Sequence, residues 1–150
     1  MSRMVACSVV LLALCGCGGV PEGQVETAKV TVTVTYKGQP VEGATVTFVP
    51  NNQPNPPSNG KSDAQGKAVL ATYAPADGAI LGAHKVMIAK MEAATTTVVS
   101  QDDPAYDPNA PAAPAPKSLL PKKYNNFNTS GLTAEVTKGK ENTFTFELKD

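Results

Sequence analysis

Side chains that could carry covalent or acid–base chemistry are few in this 150-residue chain. His84 is the one histidine, and the three cysteines, Cys7, Cys15 and Cys17, all lie within the first 17 residues. A metal centre or a catalytic acid–base pair needs several His, Cys or carboxylate groups that converge in space. Beyond residue 17 there is no thiol for a disulfide, a metal or a nucleophile. We therefore predict a protein that is not an enzyme and has no cofactor or metal site, with His84 as a core or rim residue.

The cysteines lie in a segment that is typical of an export signal. A positive charge at Arg3 precedes an apolar run, Met4–Leu14, which is shorter than the roughly 20 residues of a permanent membrane span. Residues 14–17 then read Leu-Cys-Gly-Cys. They resemble the lipobox of bacterial lipoproteins, in which an aliphatic, a variable and a small residue precede the modified cysteine.

The lipobox resemblance implies that residues 1–16 are a signal peptide and that Cys17 is lipidated after cleavage behind Gly16. The protein would then be secreted and anchored to a membrane by its lipid. Gly18 follows the cysteine, whereas an aspartate there signals retention at the inner membrane in some bacteria. We therefore expect an outer-membrane or periplasm-facing location. A plain secretory signal and an uncleaved anchor are the alternatives.

The charge composition argues against a nucleic-acid partner. Lysine and arginine together number 13, as do aspartate and glutamate, so no overall basic field attracts nucleic acid. Arg3 is the only arginine and lies in the leader, although arginine is the usual residue for forked phosphate and base contacts. We expect no nucleic acid among the partners.

Two neighbouring stretches carry the clearest strand pattern. In residues 30–36 valines alternate with threonines, and in residues 44–48 Ala, Val and Phe alternate with threonines. A period of two over β-branched residues predicts strands with one buried face. We interpret them as two antiparallel neighbours that need a second layer from the rest of the chain. Their threonines form either the solvent side or a flat polar binding face; these residues are Thr31, Thr33, Thr35, Thr45 and Thr47.

The rest of the chain predicts further short strands. Residues 67–73 and 82–90 form two of them, with turns at 60–67 and 75–78, and residues 132–136 and 144–148 form a closing hairpin. Residues 95–100 are a candidate edge strand. Proline-rich segments at 50–60 and 101–118 are predicted surface loops, and residues 17–27 a flexible tether. Together these patterns predict one domain, residues 28–150, that is all-β: a single antiparallel β-sandwich of six to seven strands.

A family resemblance rests on the turn motifs. Residues 37–46 read KGQPVEGATV, residues 62–66 read SDAQG, and residues 77–86 read DGAILGAHKV. These motifs resemble those of the carboxypeptidase regulatory-like domain, and the segment 120–148 is similar to the tail of small bacterial lipoproteins that carry this one domain. The resemblance implies a prealbumin-like (transthyretin-like, Ig-like) sandwich and a non-catalytic accessory role. His84 stands where the pattern usually has tyrosine.

Two weaker site hypotheses are open to a structural check. Asp102, Asp103 and Asp107 could approach a calcium ion, although the EF-hand order is absent. Lys29 or Lys37 with Asn142 would be the nominal pair for an intramolecular isopeptide bond, as in related surface domains. The catalytic carboxylate that such domains place before an Ala-Pro motif is missing here.

The sequence thus predicts a membrane-anchored lipoprotein whose β-sandwich is a binding or structural module at the cell envelope. Its partners would be the membrane, reached through the lipid anchor, and a protein or polysaccharide that meets the loops or a sheet edge. Lysines 117, 122 and 123 are solvated charges that could contact anionic lipid or polysaccharide. One alternative is a small-ligand-binding or transport accessory protein with a pocket lined by His84, Tyr73 and Tyr106. Another is self-assembly at the cell surface.

Overall fold

The computed structural model describes residues 23–51, 54–92 and 116–150. Within them, seven strands of three or more residues form the body, in line with the six to seven predicted, and three further strands have two residues each. A short 3-10 helix, η1, spans Lys122–Asn125. The strands are β1 (Thr27–Ala28), β2 (Val30–Tyr36), β3 (Gln39–Pro40), β4 (Thr45–Pro50), β5 (Ser58–Lys61), β6 (Lys67–Val69), β7 (Ala79–Ile80), β8 (Gly82–Ala89), β9 (Leu132–Val136) and β10 (Asn142–Leu148).

Two four-stranded sheets form the β-sandwich. The first has the order β10–β2–β3, with β6 on the same side of β2 as β3; the second has the order β5–β4–β8–β9. The pairings are antiparallel except that of β10 with β2, which is parallel over seven residues. The all-β sandwich is confirmed, and its one parallel pair departs from the purely antiparallel expectation.

The two strands with the clearest pattern lie in different sheets, so the prediction that they are neighbours was wrong. β2 instead turns at Lys37 and Gly38 into the short β3, with Tyr36 opposite Gln39. Both turn residues have positive φ, 53° and 78°, which matches the twist of a two-residue hairpin. The chain then crosses to the other layer. β2 and β4 therefore bury their apolar faces against each other, and each supplies the layer that the other lacks.

The crossing from β3 to β4 is held by a buried serine. The Ser62 hydroxyl accepts a hydrogen bond from the Ala44 N–H (2.8 Å) and donates one to the Val41 carbonyl oxygen (2.5 Å). Where the chain crosses between sheets, its backbone N–H and C=O groups have no partners in a β-ladder and need other hydrogen bonds. Ser62, which is 4% exposed, provides these bonds through its hydroxyl group.

The predicted closing hairpin was also wrong, because β9 pairs with β8 while β10 pairs with β2. Asn142 fixes the turn that carries the chain between the sheets. Its side-chain oxygen accepts from the Thr137 N–H (2.9 Å), and its amide nitrogen donates to the carbonyl oxygens of Thr137, Lys140 and Lys29 (3.0, 3.2 and 3.4 Å). A period of two gives the face that a strand buries but not its partner, so the sequence pattern was equally compatible with both pairings.

The proline-rich segments contain more order than predicted. Residues 58–61 form β5 inside the expected 50–60 loop. Ser118, at the end of the expected 101–118 excursion, forms a bridge with Met91. The turn at 62–66 is confirmed, with the Asp63 carboxylate accepting from the N–H groups of Gln65 and Lys67 (2.9 and 2.8 Å). The predicted strand at 67–73 is shorter, since regular pairing ends at Val69, and the candidate strand at 95–100 lies outside the described residues.

Phe48 lies at the centre of the core, between the two layers. It is fully buried, and its ring centroid lies 5.7 Å from those of Phe144 and His84 and 6.3 Å from that of Phe146. Burial of each such side chain is worth about 1.5–3 kcal/mol. These rings join the two sheets, since Phe48 and His84 belong to the second sheet and Phe144 and Phe146 to the first.

Candidate ligand-binding groove

A shallow groove of about 180 Å³ opens at one end of the sandwich. Its floor is largely apolar, and one lysine lies at its side. The lining residues are Tyr36, Gln39, Pro40, Val41, Lys90, Leu119 and Leu120. Leu119 is 48% exposed and the adjacent Met91 is 53% exposed, so apolar surface continues beyond the groove.

The groove forms where strands of both sheets end. Tyr36 is the last residue of β2, and Lys90 directly follows β8. A short antiparallel ladder then draws a distant segment to this place. The Leu119 N–H donates to the Lys90 carbonyl oxygen and the Glu92 N–H to that of Lys117, both at 2.8 Å. The two ends of the 93–116 segment are thereby held side by side at the groove.

The helix η1 begins two residues after Leu120 of the groove and is bonded to the end of β10. The Tyr124 hydroxyl donates to the Lys149 carbonyl oxygen and accepts from the Lys149 N–H, both at 3.0 Å. Tyr124 is 6% exposed, so its ring anchors the helix in the core. Lys122 and Lys123, which precede Tyr124 in the same helix, are exposed, and the Lys123 ammonium lies 5.1 Å from the centroid of the Tyr124 ring.

The lysines around the groove differ in their partners. The Lys37 ammonium lies 2.6 Å from the Asp150 carboxylate, which also accepts a hydrogen bond from the Tyr36 hydroxyl. The hydrogen bond to Asp150 raises the pKa of Lys37, and those from Lys37 and then Tyr36 lower the pKa of Asp150. Among the described residues, no carboxylate forms an ion pair with Lys90, which lines the groove, or with Lys117, Lys122 and Lys123. The charge of Lys123 does contribute to the lowered pKa of Asp150.

This arrangement offers a ligand both apolar contact and positive charge. The aromatic face of Tyr36 and the Pro40 ring offer flat apolar contact, and the lysines offer charge without a fixed counter-ion. A ligand that is flat on one face and carries carboxylate, sulfate or phosphate groups complements both features. The groove was missed from the sequence because its residues come from three separate segments, 36–41, 90 and 119–120. The lysines that the sequence singled out, Lys117, Lys122 and Lys123, are not among its lining residues.

A second groove, of about 280 Å³, lies beside β4 and β8 of the second sheet. It contains the exposed ring of Phe127, with the Lys85 ammonium 5.9 Å from the ring centroid and 3.4 Å from the Asn128 side-chain oxygen. Val49, Pro50 and Asn51 complete its lining. The Lys85 ammonium of this groove thus contacts a ring and an amide oxygen, neither of which carries a negative charge.

His84 faces the core, as predicted, together with Val86 and Ile88 of the same strand. It is 1% exposed; its Nδ1 lies 2.9 Å from the Gly82 carbonyl oxygen, and its Nε2 has no hydrogen-bond partner among the described residues. Burial lowers the pKa of the His84 imidazole, against a smaller raising effect of the Gly82 bond. His84 is thus a neutral core residue with one unsatisfied nitrogen.

The other predicted site residues are dispersed. His84 and Tyr73 line neither groove: the Tyr73 hydroxyl accepts from the Val25 N–H (3.2 Å) near the start of the domain. Tyr106, Cys17 and the three aspartates of the calcium hypothesis lie outside the described residues. In the part that is described, no cluster of three His, Cys, Asp or Glu side chains could hold a metal ion.

The structure does not bring together the groups that the isopeptide and threonine-face hypotheses require. The Asn142 amide already bonds backbone groups on both sides, including the Lys29 carbonyl oxygen rather than its ammonium. The threonine rows of β2 and β4 lie on opposite sheets, so they do not form one surface. Thr47 is itself 6% exposed and donates to the Asn59 side-chain oxygen (2.8 Å).

Comparison with known proteins adds little beyond the fold class. No family model matches the chain. No curated protein matches it either. Among solved structures, it is similar to a DUF3823 family protein from Parabacteroides merdae, at 13% identity and a TM-score of 0.36, over 84% of this chain and 46% of that one. It is also similar to a 9R-lipoxygenase from Cyanothece PCC8801, at 12% identity and a TM-score of 0.38, over 83% of this chain and 16% of that one.

The chain therefore spans less than half the length of either structure. In the described ranges, none of the helical structure has the length and apolar character needed to cross a bilayer.

Proposed function

We propose that this protein is a lipid-anchored, non-catalytic binding module of the cell envelope, and that its groove binds an acidic polysaccharide. The observation that carries the proposal is the groove itself. Its floor of Tyr36, Pro40 and Leu119 lies beside Lys90, which forms no ion pair with a carboxylate among the described residues. Sugar rings have flat apolar faces that suit such a floor, and their acidic substituents would neutralise the lysines.

The anchor and the groove are compatible in position. β1, at Thr27–Ala28, lies at the start of β2, and Tyr36 of the groove lies at its end. Seven residues of strand separate these points by about 20 Å. A lipid on Cys17 would thus hold the domain by the end of β2 that lies away from the groove. The lipobox resemblance and the resemblance to carboxypeptidase regulatory-like domains both support this reading, since such domains act as accessory modules.

Binding to polygalacturonate tests the proposed function. The protein, extracted from membranes in mild detergent, should bind this polymer but not neutral dextran, and the affinity should fall as salt rises. Lys90→Gln and Lys122→Gln should each weaken binding by about two- to five-fold, the equivalent of one surface ion pair. Lys61→Gln and Lys67→Gln are matched controls on exposed lysines of β5 and β6 and should leave it unchanged.

Two outcomes would contradict the proposal. Equal loss in the control variants would show that the total charge matters rather than the groove. Equally tight binding to duplex DNA would show a general attraction to polyanions, without a contribution from the sugar-binding floor.

A further inference from the structure

The second groove repeats the chemistry of the first. Each combines an aromatic ring, a proline and a lysine: Tyr36, Pro40 and Lys90 in the first groove, and Phe127, Pro50 and Lys85 in the second. Among the described residues, neither lysine forms an ion pair with a carboxylate. The features from which we inferred a binding site for acidic sugars therefore occur at two separate places.

A hydrogen-bonded turn holds the Phe127 ring at the surface. The Asn126 carbonyl oxygen accepts from the N–H groups of Thr129 and Ser130 (3.1 and 2.9 Å). The Ser130 hydroxyl in turn donates to the Val86 carbonyl oxygen of β8 (2.5 Å). Phe127 is nevertheless 39% exposed, so part of its ring is open to a ligand.

The Lys85 ammonium is also open to an anionic partner. Its hydrogen bond to the Asn128 side-chain oxygen is long, at 3.4 Å, and a carboxylate accepts a stronger bond than an amide does. Glu135, opposite Ala83 in the neighbouring row of the sheet, is exposed and forms no ion pair with Lys85. An acidic ligand group at Lys85 would thus be a stronger partner than those that the protein itself provides.

The two grooves are joined along the chain. Lys85 lies in β8 and Lys90 directly follows that strand, so five residues of extended chain separate them by about 17 Å. The segment 120–127 also leads from one groove to the other, and η1 within it carries the exposed Lys122 and Lys123. The separation is larger than one sugar ring but short enough for one oligosaccharide chain to reach both lysines.

We propose that a single acidic polysaccharide chain occupies both grooves, with sugar rings on Tyr36 and Phe127 and acidic groups at Lys90 and Lys85. This inference rests on the proposed function, to which it adds a second binding site and a minimum length of ligand. Once one groove holds the chain, binding at the other is intramolecular, so the two contacts together exceed either alone. The protein thereby selects polymers over short fragments.

Lysine footprinting tests whether one chain covers both grooves. The protein, extracted from membranes in mild detergent, is acetylated briefly with and without one equivalent of decagalacturonate, and peptide mass spectrometry measures the reactivity of each lysine. We expect Lys85 and Lys90 to lose reactivity together. Lys61 is the matched control, because it lies on the same face of the second sheet as Lys85, and it should react as before.

The outcomes separate this inference from the proposed function. Protection of Lys90 without Lys85 would overturn the second site and leave the proposed function standing. Equal protection of Lys61 would overturn it as well, since a general coating by the polymer would then explain the result. If decagalacturonate does not bind at all, the proposed function fails and the inference fails with it.

Calorimetry with ligands of two lengths provides a second test. We expect one decagalacturonate chain per protein, and binding of digalacturonate that is at least about ten-fold weaker. Lys85→Gln should weaken decagalacturonate binding about two- to five-fold, and Phe127→Ala should weaken it at least about two-fold. Lys61→Gln should leave it unchanged.

The double variant Lys85→Gln with Phe127→Ala removes both contacts of the second groove. Its preference for decagalacturonate over digalacturonate should fall several-fold, while its binding of digalacturonate at the first groove persists. Two decagalacturonate chains per protein, or a length preference that is unchanged in the double variant, would overturn the proposal.

Discussion

Tyr124 and Lys149 exchange two hydrogen bonds through one hydroxyl group, with both distances at 3.0 Å. This contact joins η1, which carries Lys122 and Lys123, to the end of β10. Tyr124→Phe should lower the free energy of unfolding by about 1–3 kcal/mol, because two backbone groups of Lys149 lose their partner. Urea denaturation measures the change.

Tyr36→Phe is the matched control for this prediction, since its hydroxyl bonds the exposed carboxylate of Asp150. We expect its cost to stay within about 0.5 kcal/mol. An equal loss in both variants would mean that the bond pair of Tyr124 has no special structural role.

Asn142 should be the most sensitive amide in the domain. It is 5% exposed and bonds backbone groups of Thr137, Lys140 and Lys29. Asn142→Leu keeps the approximate volume but leaves these groups without partners, so we expect a loss of about 2–4 kcal/mol in urea denaturation. Thr145→Ala, an exposed change in the same strand, should cost less than about 1 kcal/mol. Comparable losses would show that the turn between the sheets does not depend on Asn142.

Two glycines with similar backbone angles should differ in their tolerance of alanine. At Gly78 (φ 92°) an added Cβ would lie 1.8 Å from the Ala28 carbonyl oxygen, whereas at Gly139 (φ 74°) it would meet nothing within 4 Å. In both variants the left-handed conformation of alanine lowers the free energy of unfolding by about 1–2 kcal/mol. Only Gly78→Ala must also displace β1, so we expect it to lose at least about 2 kcal/mol more. Thermal denaturation of both variants checks the difference, and equal melting temperatures would contradict it.

The buried imidazole of His84 should make the fold sensitive to mild acid. The pKa of His84 in the folded protein lies below the ordinary 6.5. Below that pH the unfolded chain therefore binds a proton at His84 that the folded chain does not bind. Stability is then full above about pH 6.5 and falls as the pH drops towards the folded pKa, by at most about 1.4 kcal/mol per pH unit. Urea denaturation between pH 7.5 and 5 measures this slope, and His84→Phe should flatten it.

Asp77 provides a separate check, because it acts in a different pH range. Burial raises the pKa of its carboxyl, but N–H donors at Thr72, Tyr73 and Ala74 outweigh that effect and lower the pKa below the ordinary 3.8. Its contribution to stability is therefore present above about pH 4 and is lost only as the pH falls further. A slope between pH 6.5 and 5 that persists in His84→Phe would contradict the assignment to His84.

The sequence allowed the faces of the strands to be predicted better than their partners. Alternation correctly placed Val30, Val32 and Val34 in the core, and likewise the inward set His84, Val86 and Ile88. It gave no information on which sheet β9 and β10 join, because that depends on bonds made by the Asn142 side chain. β5 was missed since Ser58–Lys61 has no apolar alternation and owes its order to pairing with β4.

The groove could not be derived from local pattern either. It depends on the ladder between Lys90 and Leu119, which joins positions separated by a proline- and alanine-rich segment. Sequence analysis treated the following lysines as solvated charges. Lys122 and Lys123 are indeed exposed. The charge of Lys123 also acts on Asp150, a residue distant in sequence, which local pattern does not indicate.

The mass of the N-terminal peptide of the protein isolated from bacterial membranes tests the central claim most directly. The account predicts a chain that begins at Cys17 with a lipid on its sulfur, unchanged by Cys15→Ser. Cys17→Ser should abolish this modification. Recovery of the unsubstituted protein with an unmodified Cys17, cleaved elsewhere or still carrying residues 1–16, would contradict it.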